Sequence, residues 1–164
     1  MILYHGTTQE IRNPVIIRSE IGRDFGFAFY TTDIRPQAER WAVRKAKIQA
    51  RREGHAVRPI VNVYEWNPET ALSVKSFDGP SLDWLDMVVN CRSNPAFRHP
   101  YDIVIGKIAN DSVGETVSFV VQGIMRREDA VERLRFEQIN NQLAFCTEAA
   151  LAELHFVSSY EVEV

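Results

Sequence analysis

The chain has 164 residues, 45% hydrophobic and 25% charged, which is enough to bury the core of a single domain spanning residues 1–164. Its net charge of −3 excludes a general attraction to nucleic acid or anionic lipid, although a local basic face is still compatible with that charge. No apolar run approaches the ~18 residues of a membrane span. The first residues also lack the basic start of an export signal, so we expect a cytoplasmic protein without a membrane partner.

Strands and helices are predicted to follow one another irregularly along the chain. Strands are expected at residues 1–5, 57–66, 71–74, 101–109, 142–147 and 155–164, and helices between Asp33 and Gly54, after Ser81, and at residues 115–122, 128–134 and 147–154. Asp33 and Ser81 are the expected N-caps of the first two helices, and Gly54 is the expected end of the first. Because regular strand–helix–strand alternation is missing, the fold class is predicted to be α+β.

The first predicted helix combines an apolar stripe with a basic face. Its apolar stripe consists of Ala38, Trp41, Ala42 and Ile48. Residues 44–52 contain five lysines and arginines. A solvated helix face is the favoured interpretation of this basic run, and a contact surface for a phosphate backbone is the alternative.

The cysteines and most of the histidines show no spacing that predicts a metal centre or a redox site. Cys91 and Cys146 are expected to be reduced thiols. His55, His99 and His155 lie far apart in the sequence, so we assign no metal site.

Two short stretches carry the most informative residues. Leu3-Tyr4-His5-Gly6-Thr7-Thr8 reads as a strand with a polar end, and Asp24-Phe25-Gly26-Phe27-Ala28-Phe29-Tyr30-Thr31-Thr32 reads as a second strand. Gly6 has no Cβ, so a ligand can approach the backbone closely there. A histidine and a tyrosine on neighbouring strands suit a planar cationic ring attached to ribose. The ring stacks on Tyr30, and His5 hydrogen-bonds a sugar hydroxyl.

These stretches resemble the first two motifs of the ADP-ribosyltransferase fold, in the clade of diphtheria toxin and the poly(ADP-ribose) polymerases. That clade carries His-Gly-Ser/Thr and then Phe-Gly-x-x-x-Tyr, which match His5-Gly6-Thr7 and the residues from Phe25 to Tyr30. Within the fold, the chain is similar to a bacterial toxin-like family of domains of unknown function, often found beside small antitoxin-like genes. The resemblance implies an ADP-ribosyltransferase-like split β-sandwich with flanking helices, and NAD as the co-substrate.

The resemblance also implies roles for individual residues. His5 and Tyr30 are expected catalytic residues, with His5 on the adenosine ribose and Tyr30 stacked on nicotinamide. The backbone of Gly6 is expected to bind the nicotinamide carboxamide, and Thr7 to reach a ribose hydroxyl. The further expected NAD-binding residues are Tyr4, Arg18, Phe29 and Trp41.

Several of these assignments have structural alternatives. Trp41 follows Tyr30 by eleven residues, as the second stacking aromatic does in the polymerases, but its apolar stripe also suits plain core. Ala38 stands where the polymerases carry a hydroxyl residue, so one carboxamide contact is missing. The loop that contains Arg18 and Arg23 is either solvated or folded over the dinucleotide phosphates. Four further residues have two interpretations. They either lie at the ends of a helix or strand or point into the cleft: Asn90, Arg92, Asn110 and Asp111.

The third motif of the fold is a Glu, Gln or Asp at the head of a late strand. Gln142 is the preferred candidate, and Gln138 and Glu137 are the competitors. A glutamine accepts a hydrogen bond from the 2′-hydroxyl of the nicotinamide ribose, but it supplies no charge and cannot act as a base. This departure costs about 2–3 kcal/mol of transition-state stabilisation, which slows transfer without abolishing it.

The sequence therefore predicts a mono-ADP-ribosyltransferase that acts as a bacterial toxin in a toxin–antitoxin or phage-defence system. Its partners are NAD, a macromolecular acceptor of protein or nucleic acid, and a cognate antitoxin protein. The first alternative is a catalytically weak module that binds NAD or ADP-ribose as a sensor. The second is a nucleic-acid-binding accessory domain that uses residues 44–52.

Overall fold

The computed structural model describes residues 1–18, 24–108, 111–135 and 140–164, which form two β-sheets with helices packed outside them. The strands are β1 (Ile2–Thr7), β2 (Phe29–Thr31), β3 (Ile60–Glu65), β4 (Val74–Ser76), β5 (Ile103–Ile108), β6 (Asn140–Phe145) and β7 (His155–Glu161). The helices are α1 (Arg35–Glu53), α2 (Leu82–Ser93), α3 (Asp111–Val121), α4 (Arg127–Leu134) and α5 (Glu148–Leu151). The predicted α+β class is confirmed.

Among the described residues, one pair of backbone hydrogen bonds joins the two sheets at an edge. One sheet has the order β1-β3-β7 and is antiparallel, and the other has the order β2-β6-β5-β4, with only β4 and β5 parallel. The Tyr4 N–H donates to the Thr32 carbonyl at 2.8 Å, and the Thr32 N–H donates to the Tyr4 carbonyl at 2.9 Å. Strands β1 and β2, which carry the two sequence motifs, are therefore neighbours.

Apolar side chains from both sheets fill the space between them. Leu3 and Tyr64 from one sheet meet Phe29 and Phe145 from the other, and α5 closes the end of this cluster. The rings of Tyr64 and Trp66 each contact a phenylalanine of the opposite sheet edge-on, at centroid distances of 5.7 and 5.5 Å. Such pairs add to the stabilisation from buried area, so they hold the sheets in one relative position.

Helices cover the outer face of each sheet. Helices α2, α3 and α4 pack on the four-stranded sheet through a cluster that includes Trp84, Val117 and Leu134. Helix α1 packs on the three-stranded sheet through Ala38 and Ala42. Small residues at this contact bring the helix backbone close to strand β1. In the part of the chain that the structure describes, no helix is long and apolar enough to span a membrane.

Of three predictions about α1, one is confirmed and two are wrong. Gly54 ends the helix with a left-handed φ of +76°, and its N–H donates to the Ala50 carbonyl at 2.8 Å, as expected for a helix-terminating glycine. The expected cap Asp33 is wrong, because Ile34 occupies the N-cap position without a side-chain bond. The expected burial of Ile48 is also wrong, since 48% of this residue is exposed.

Other predicted elements are present with shifted bounds. Helix α2 begins as predicted, with the Ser81 hydroxyl accepting from the Trp84 N–H at 3.1 Å. Strand β6 starts earlier than residue 142 and ends at Phe145, because Thr147 is instead the N-cap of α5. Strand β4 begins only at Val74, where pairing with Ile103 of β5 starts.

Candidate functional site

A cleft of about 720 Å³ opens between α1 and the edge where the two sheets meet. Ligand sites of proteins commonly enclose roughly 300–1,000 Å³, so the cleft is large enough for a small molecule. Three sets of residues line it: His5, Gly6, Tyr30 and Gln142 from the strands; Trp41, Arg44, Lys45, Ile48, Gln49, Arg52 and Glu53 from α1; and Ile17, Asp24 and Arg92 beside them.

Gly6 lies where β1 passes closest to α1. A Cβ built on Gly6 would stand 2.1 Å from the Ala38 carbonyl oxygen and 2.8 Å from the Ala42 nitrogen. Both atoms belong to the helix backbone, so they cannot move aside as a flexible side chain would. Packing of α1 alone therefore requires glycine at this position, in addition to any approach of a ligand.

The backbone of Gly6 is directed toward the cleft edge of β1. In a strand, the N–H and C=O groups of residues two apart point to the same edge. Those of Tyr4 point to β2, since both bond Thr32. Those of Gly6 point the same way, and the residue opposite Gly6 in this antiparallel register is Tyr30. Among the described residues no bridge joins these two, and the Tyr30 carbonyl instead lies against His5 Nδ1.

The imidazole of His5 is held by contacts on two sides. Its ring stacks on Phe29 with 4.1 Å between centroids and 28° between planes. Its Nδ1 lies 2.6 Å from the Tyr30 carbonyl oxygen. A carbonyl only accepts, so Nδ1 carries the proton and Nε2 is the acceptor nitrogen of the neutral ring. His5 thus has a defined orientation and tautomer in the cleft wall.

Tyr30 is anchored through its hydroxyl to the turn that precedes its strand. The hydroxyl donates to the Gly26 carbonyl and accepts from the Phe25 N–H at 3.3 Å. Gly26 has a φ of +83°, which other residues adopt only with strain. The spacing Phe-Gly-x-x-x-Tyr therefore encodes a closed local loop. The loop fixes the hydroxyl end of Tyr30, and the rest of its side chain lines the cleft.

Gln142 and Tyr30 share one face of the four-stranded sheet. Tyr30 is paired with Ala144 across β2 and β6, and Gln142 precedes Ala144 by two residues, so the two side chains are diagonal neighbours. Such neighbours are typically about 7–8 Å apart. Gln142 is buried, and its partner across β5 is Gly106, over which Phe25 and Phe77 pack.

The head of β6 is clamped to α1 by Gln37, a residue that the sequence analysis missed. The fully buried Gln37 amide donates to the Asn141 carbonyl at 2.7 Å and accepts from the Asn141 N–H at 3.2 Å. The Asn141 side chain also donates to the Asp33 carboxylate at 3.0 Å. Asn141 immediately precedes Gln142, so these bonds set where Gln142 enters the cleft. Glutamines are mostly exposed in proteins, and no local signal marks this one as buried.

An ion pair closes the wall of the cleft beside Tyr30. Arg92 Nε donates to the Asp24 carboxylate at 2.7 Å, and Asp24 is only 8% exposed. The sequence allowed Arg92 to be either a helix-end residue or a cleft residue. In the structure it lies in the last turn of α2 and also lines the cleft. Next to this pair, His99 Nε2 lies 2.9 Å from the Phe25 carbonyl oxygen, and burial lowers the pKa of His99 below its ordinary value despite that bond.

Four of the expected NAD-binding residues are not among the cleft-lining residues of the described chain. Tyr4 lies on the opposite face of β1, against α1 and Tyr160. Thr7 is buried, and Phe29 belongs to the core between the sheets, where it supports His5. Arg18 is exposed, with its guanidinium 5.7 Å from the ring centroid of Phe27.

The other residues left open by the sequence lie outside the cleft or outside the described residues. Asn90 is exposed on α2. Arg23, Asn110 and the competitors for the third motif, Glu137 and Gln138, fall outside the described residues, as does the side chain of Asp111. Gln142 lies within the described residues and lines the cleft together with His5 and Tyr30.

The fold and the cleft define an α+β protein with a small-molecule-sized site at the junction of two sheets and a helix. The chain belongs to the family described as "Protein of unknown function (DUF3990)", whose profile matches residues 1–156. No curated protein and no solved structure matches the chain.

Proposed function

We propose that the protein is an NAD-dependent mono-ADP-ribosyltransferase with the split β-sandwich of the ADP-ribosyltransferase fold. The observation that carries the proposal is the meeting of His5, Tyr30 and Gln142 in one cleft from three different strands. These are the residues that the sequence resemblance assigns to the three motifs of the ADP-ribosyltransferase fold, and their spacing along the chain alone does not require them to meet.

The shape of the cleft suits the nicotinamide riboside half of NAD. The nicotinamide ring stacks on Tyr30, with Trp41 from α1 on the other side. The carboxamide bonds the N–H and C=O of Gly6 at the open edge of β1. His5 Nε2 accepts a hydrogen bond from a ribose hydroxyl, consistent with the tautomer set by Tyr30. Lys45 and Arg52 provide positive charge for the diphosphate.

The chemistry is cleavage of the N-glycosidic bond between nicotinamide and C1′ of the ribose. The bond electrons leave with nicotinamide, positive charge grows at C1′, and an acceptor nucleophile then bonds to that carbon. The Gln142 carbonyl oxygen accepts from the 2′-hydroxyl and stabilises this charge through a neutral dipole. Positioning and electrostatic stabilisation supply most of the rate enhancement.

A second candidate function is binding of NAD or ADP-ribose without turnover, as a sensor. Gln142 favours it, because the strongest transferases carry a carboxylate at this position and an amide supplies no charge. The cleft residues that bind NAD are the same in both cases, so only a rate measurement distinguishes them.

A toxin role in a bacterial toxin–antitoxin or phage-defence system is proposed from the family resemblance. Expression of the wild-type chain should slow growth of a bacterial host, and Tyr30→Ala should relieve this by removing the stacking surface. If both proteins are equally harmless in several hosts, the toxin role is wrong while NAD binding stands.

The decisive experiment measures nicotinamide release at saturating NAD for the wild type, Gln142→Glu and Gln142→Ala. Gln142→Glu should raise the rate, because its charge stabilises the transition state more than the ground state. Gln142→Ala should lower it by roughly 10–1,000-fold, the effect of one lost transition-state hydrogen bond. Gln122→Ala, an exposed glutamine on the chain after α3, is the matched control and should behave as the wild type.

Calorimetry on the same proteins and on His5→Ala tests the binding site, and its results are compared with the rates of nicotinamide release. Binding of NAD by the wild type that is weakened by His5→Ala, without nicotinamide release by any variant, would establish the sensor. Equal rates for Gln142→Ala and the wild type would remove Gln142 from the reaction. Equal NAD affinity in His5→Ala and the wild type would refute the site itself.

A further inference from the structure

Helix α1 carries a second groove on its outer side, which borders the cleft. The groove encloses about 770 Å³ and is lined by four basic residues (Arg40, Arg44, Lys47 and Arg51) and one acidic residue, Glu39, together with Val43 and Val162. Arg44 and Ile48 line both the groove and the cleft. The two concavities therefore meet along one edge of α1, and a molecule bound in the groove borders the opening of the cleft.

The basic residues of the groove form one row along the helix. Arg40, Arg44, Lys47 and Arg51 are spaced by four, three and four residues, which places them on one side of α1. At the helical rise, the row extends for about 16 Å. All four residues are exposed.

Charge is concentrated on this helix, in contrast to the rest of the chain. Helix α1 holds seven lysines and arginines against two acidic residues, whereas the whole chain has a net charge of −3. One of the two acidic residues is Glu39, which accepts bonds from Arg35 at 3.3 Å and from the Tyr160 hydroxyl at 2.7 Å. The local field at the groove is therefore positive, and it selects an anionic partner.

We propose that the groove binds a single-stranded nucleic acid and that this strand is the acceptor of ADP-ribose, an inference that rests on the proposed transferase function. Three of the four basic residues are arginines, whose planar forks match phosphate better than an ammonium does. Val43 and the half-exposed Ile48 provide apolar surface for base faces between the charges. We propose a single strand rather than a duplex, because a base stacked within a duplex cannot reach C1′ of a nicotinamide ribose bound in the cleft.

The transfer step balances without any further reactant. A nitrogen or oxygen of the strand bonds to C1′ of the nicotinamide ribose, and the bond from C1′ to the nicotinamide nitrogen breaks with its electron pair. Nicotinamide leaves as a neutral molecule, and the proton of the attacking group passes to solvent. Binding at the groove holds the nucleophile next to the cleft, which converts an encounter in solution into a reaction within one complex.

The test measures binding of fluorescent oligothymidylate and oligouridylate by anisotropy over a range of salt concentrations. The wild type should bind with a salt dependence of about −0.7 in log K per contacted phosphate. Lys47→Glu/Arg51→Glu should weaken binding by roughly tenfold or more and reduce the slope by about 1.4. Arg126→Glu/Arg133→Glu on and beside α4 makes the same change in net charge away from the groove, so it should bind as the wild type does.

Two further measurements separate this inference from the proposed function. Nicotinamide release by the wild type without oligonucleotide reports the transferase chemistry, and transfer of label from NAD to the oligonucleotide reports the acceptor. Oligonucleotide binding that depends on Lys47 and Arg51, together with transfer of label, supports the inference. Nicotinamide release without oligonucleotide binding overturns the inference and leaves the transferase intact. Groove-dependent binding without nicotinamide release leaves a nucleic-acid-binding surface but overturns the acceptor role together with the proposed function.

Two further outcomes would overturn the inference. If the two double variants lose binding equally, the interaction follows net charge and the groove is not a site. If polyglutamate binds as tightly as the oligonucleotides, with the same salt dependence, the groove recognises an acidic protein and the nucleic-acid inference fails.

Discussion

Gly6 and Tyr30 show how single residues of the two motifs serve the fold as well as the cleft. Gly6 lacks a side chain because the Ala38 carbonyl of α1 occupies the space where a Cβ would lie. The Tyr30 hydroxyl is bonded to the loop at Phe25 and Gly26, so the motif closes on itself. Both residues therefore have a structural role that is independent of the proposed chemistry.

Replacing Gly6 by alanine should destabilise the protein by about 2–3 kcal/mol, the upper range for overpacking against atoms that cannot move. Gly114→Ala is the matched control, because a Cβ there meets nothing within 4 Å and the residue lies in α3. It should raise stability by about 0.5–1 kcal/mol through the helix preference of alanine. Urea unfolding of both variants measures the two effects, and a neutral Gly6→Ala would show that α1 is not packed as described.

At the scale of elements, α1 is the part of the fold that serves the most purposes. Its small residues pack on β1, Trp41 and Arg52 face the cleft, and Arg40 and Arg51 form the outer groove. In its first turns, Gln37 binds the backbone of β6 next to Gln142. Helix α1 therefore couples the position of Gln142 to that of Gly6.

Gln37→Met keeps the size of the side chain but removes both bonds to Asn141, leaving the part-buried N–H and carbonyl of Asn141 without that partner. Stability should fall by about 1–3 kcal/mol, and nicotinamide release should fall as well because Gln142 is no longer held. Gln37→Glu retains an acceptor for the Asn141 N–H but loses the donor to the Asn141 carbonyl. Its rate of nicotinamide release should therefore lie between those of the wild type and Gln37→Met. Under the proposed function, full activity in a destabilised but folded Gln37→Met would limit Gln37 to a structural role.

At the scale of the whole molecule, buried ionisable groups link stability to pH. The pKa of His99 is lowered, first because burial disfavours its charged form, while the bond to the Phe25 carbonyl opposes the shift. The unfolded chain therefore binds a proton at His99 at a higher pH than the folded protein does. By linkage, stability rises with pH in this window, and it is lost as pH falls from the ordinary value of 6.5 toward the lowered one.

His99→Gln removes this titration and keeps a donor for the Phe25 carbonyl. The free energy of unfolding of the wild type should fall more steeply than that of the variant when the pH is lowered from neutral toward the lowered pKa of His99. Carboxylates such as Asp102, whose pKa is lowered from 3.8 mainly by a bond from Thr147, affect stability only at more acidic pH. Urea unfolding across this range compares the two proteins, and parallel profiles would mean that His99 titrates alike in both states.

The amino-acid sequence by itself determined what depends on local order. The α+β class follows from the irregular succession of elements, the end of α1 from Gly54, and the start of α2 from Ser81. The pairing of the two motifs was also expected from the sequence, because both were predicted to be strands and both resemble motifs of one fold. In each case the information lies within a few residues along the chain.

The tertiary structure decided what depends on residues far apart. The bonds of Gln37 to Asn141 and of Arg92 to Asp24 join segments that are 104 and 68 residues apart, and neither leaves a periodic trace in the sequence. Ile48 looked like core because its helical spacing is right, but α1 turns that side toward the cleft and the groove. Periodicity reports which residues share a face of a helix, and only packing decides what that face meets.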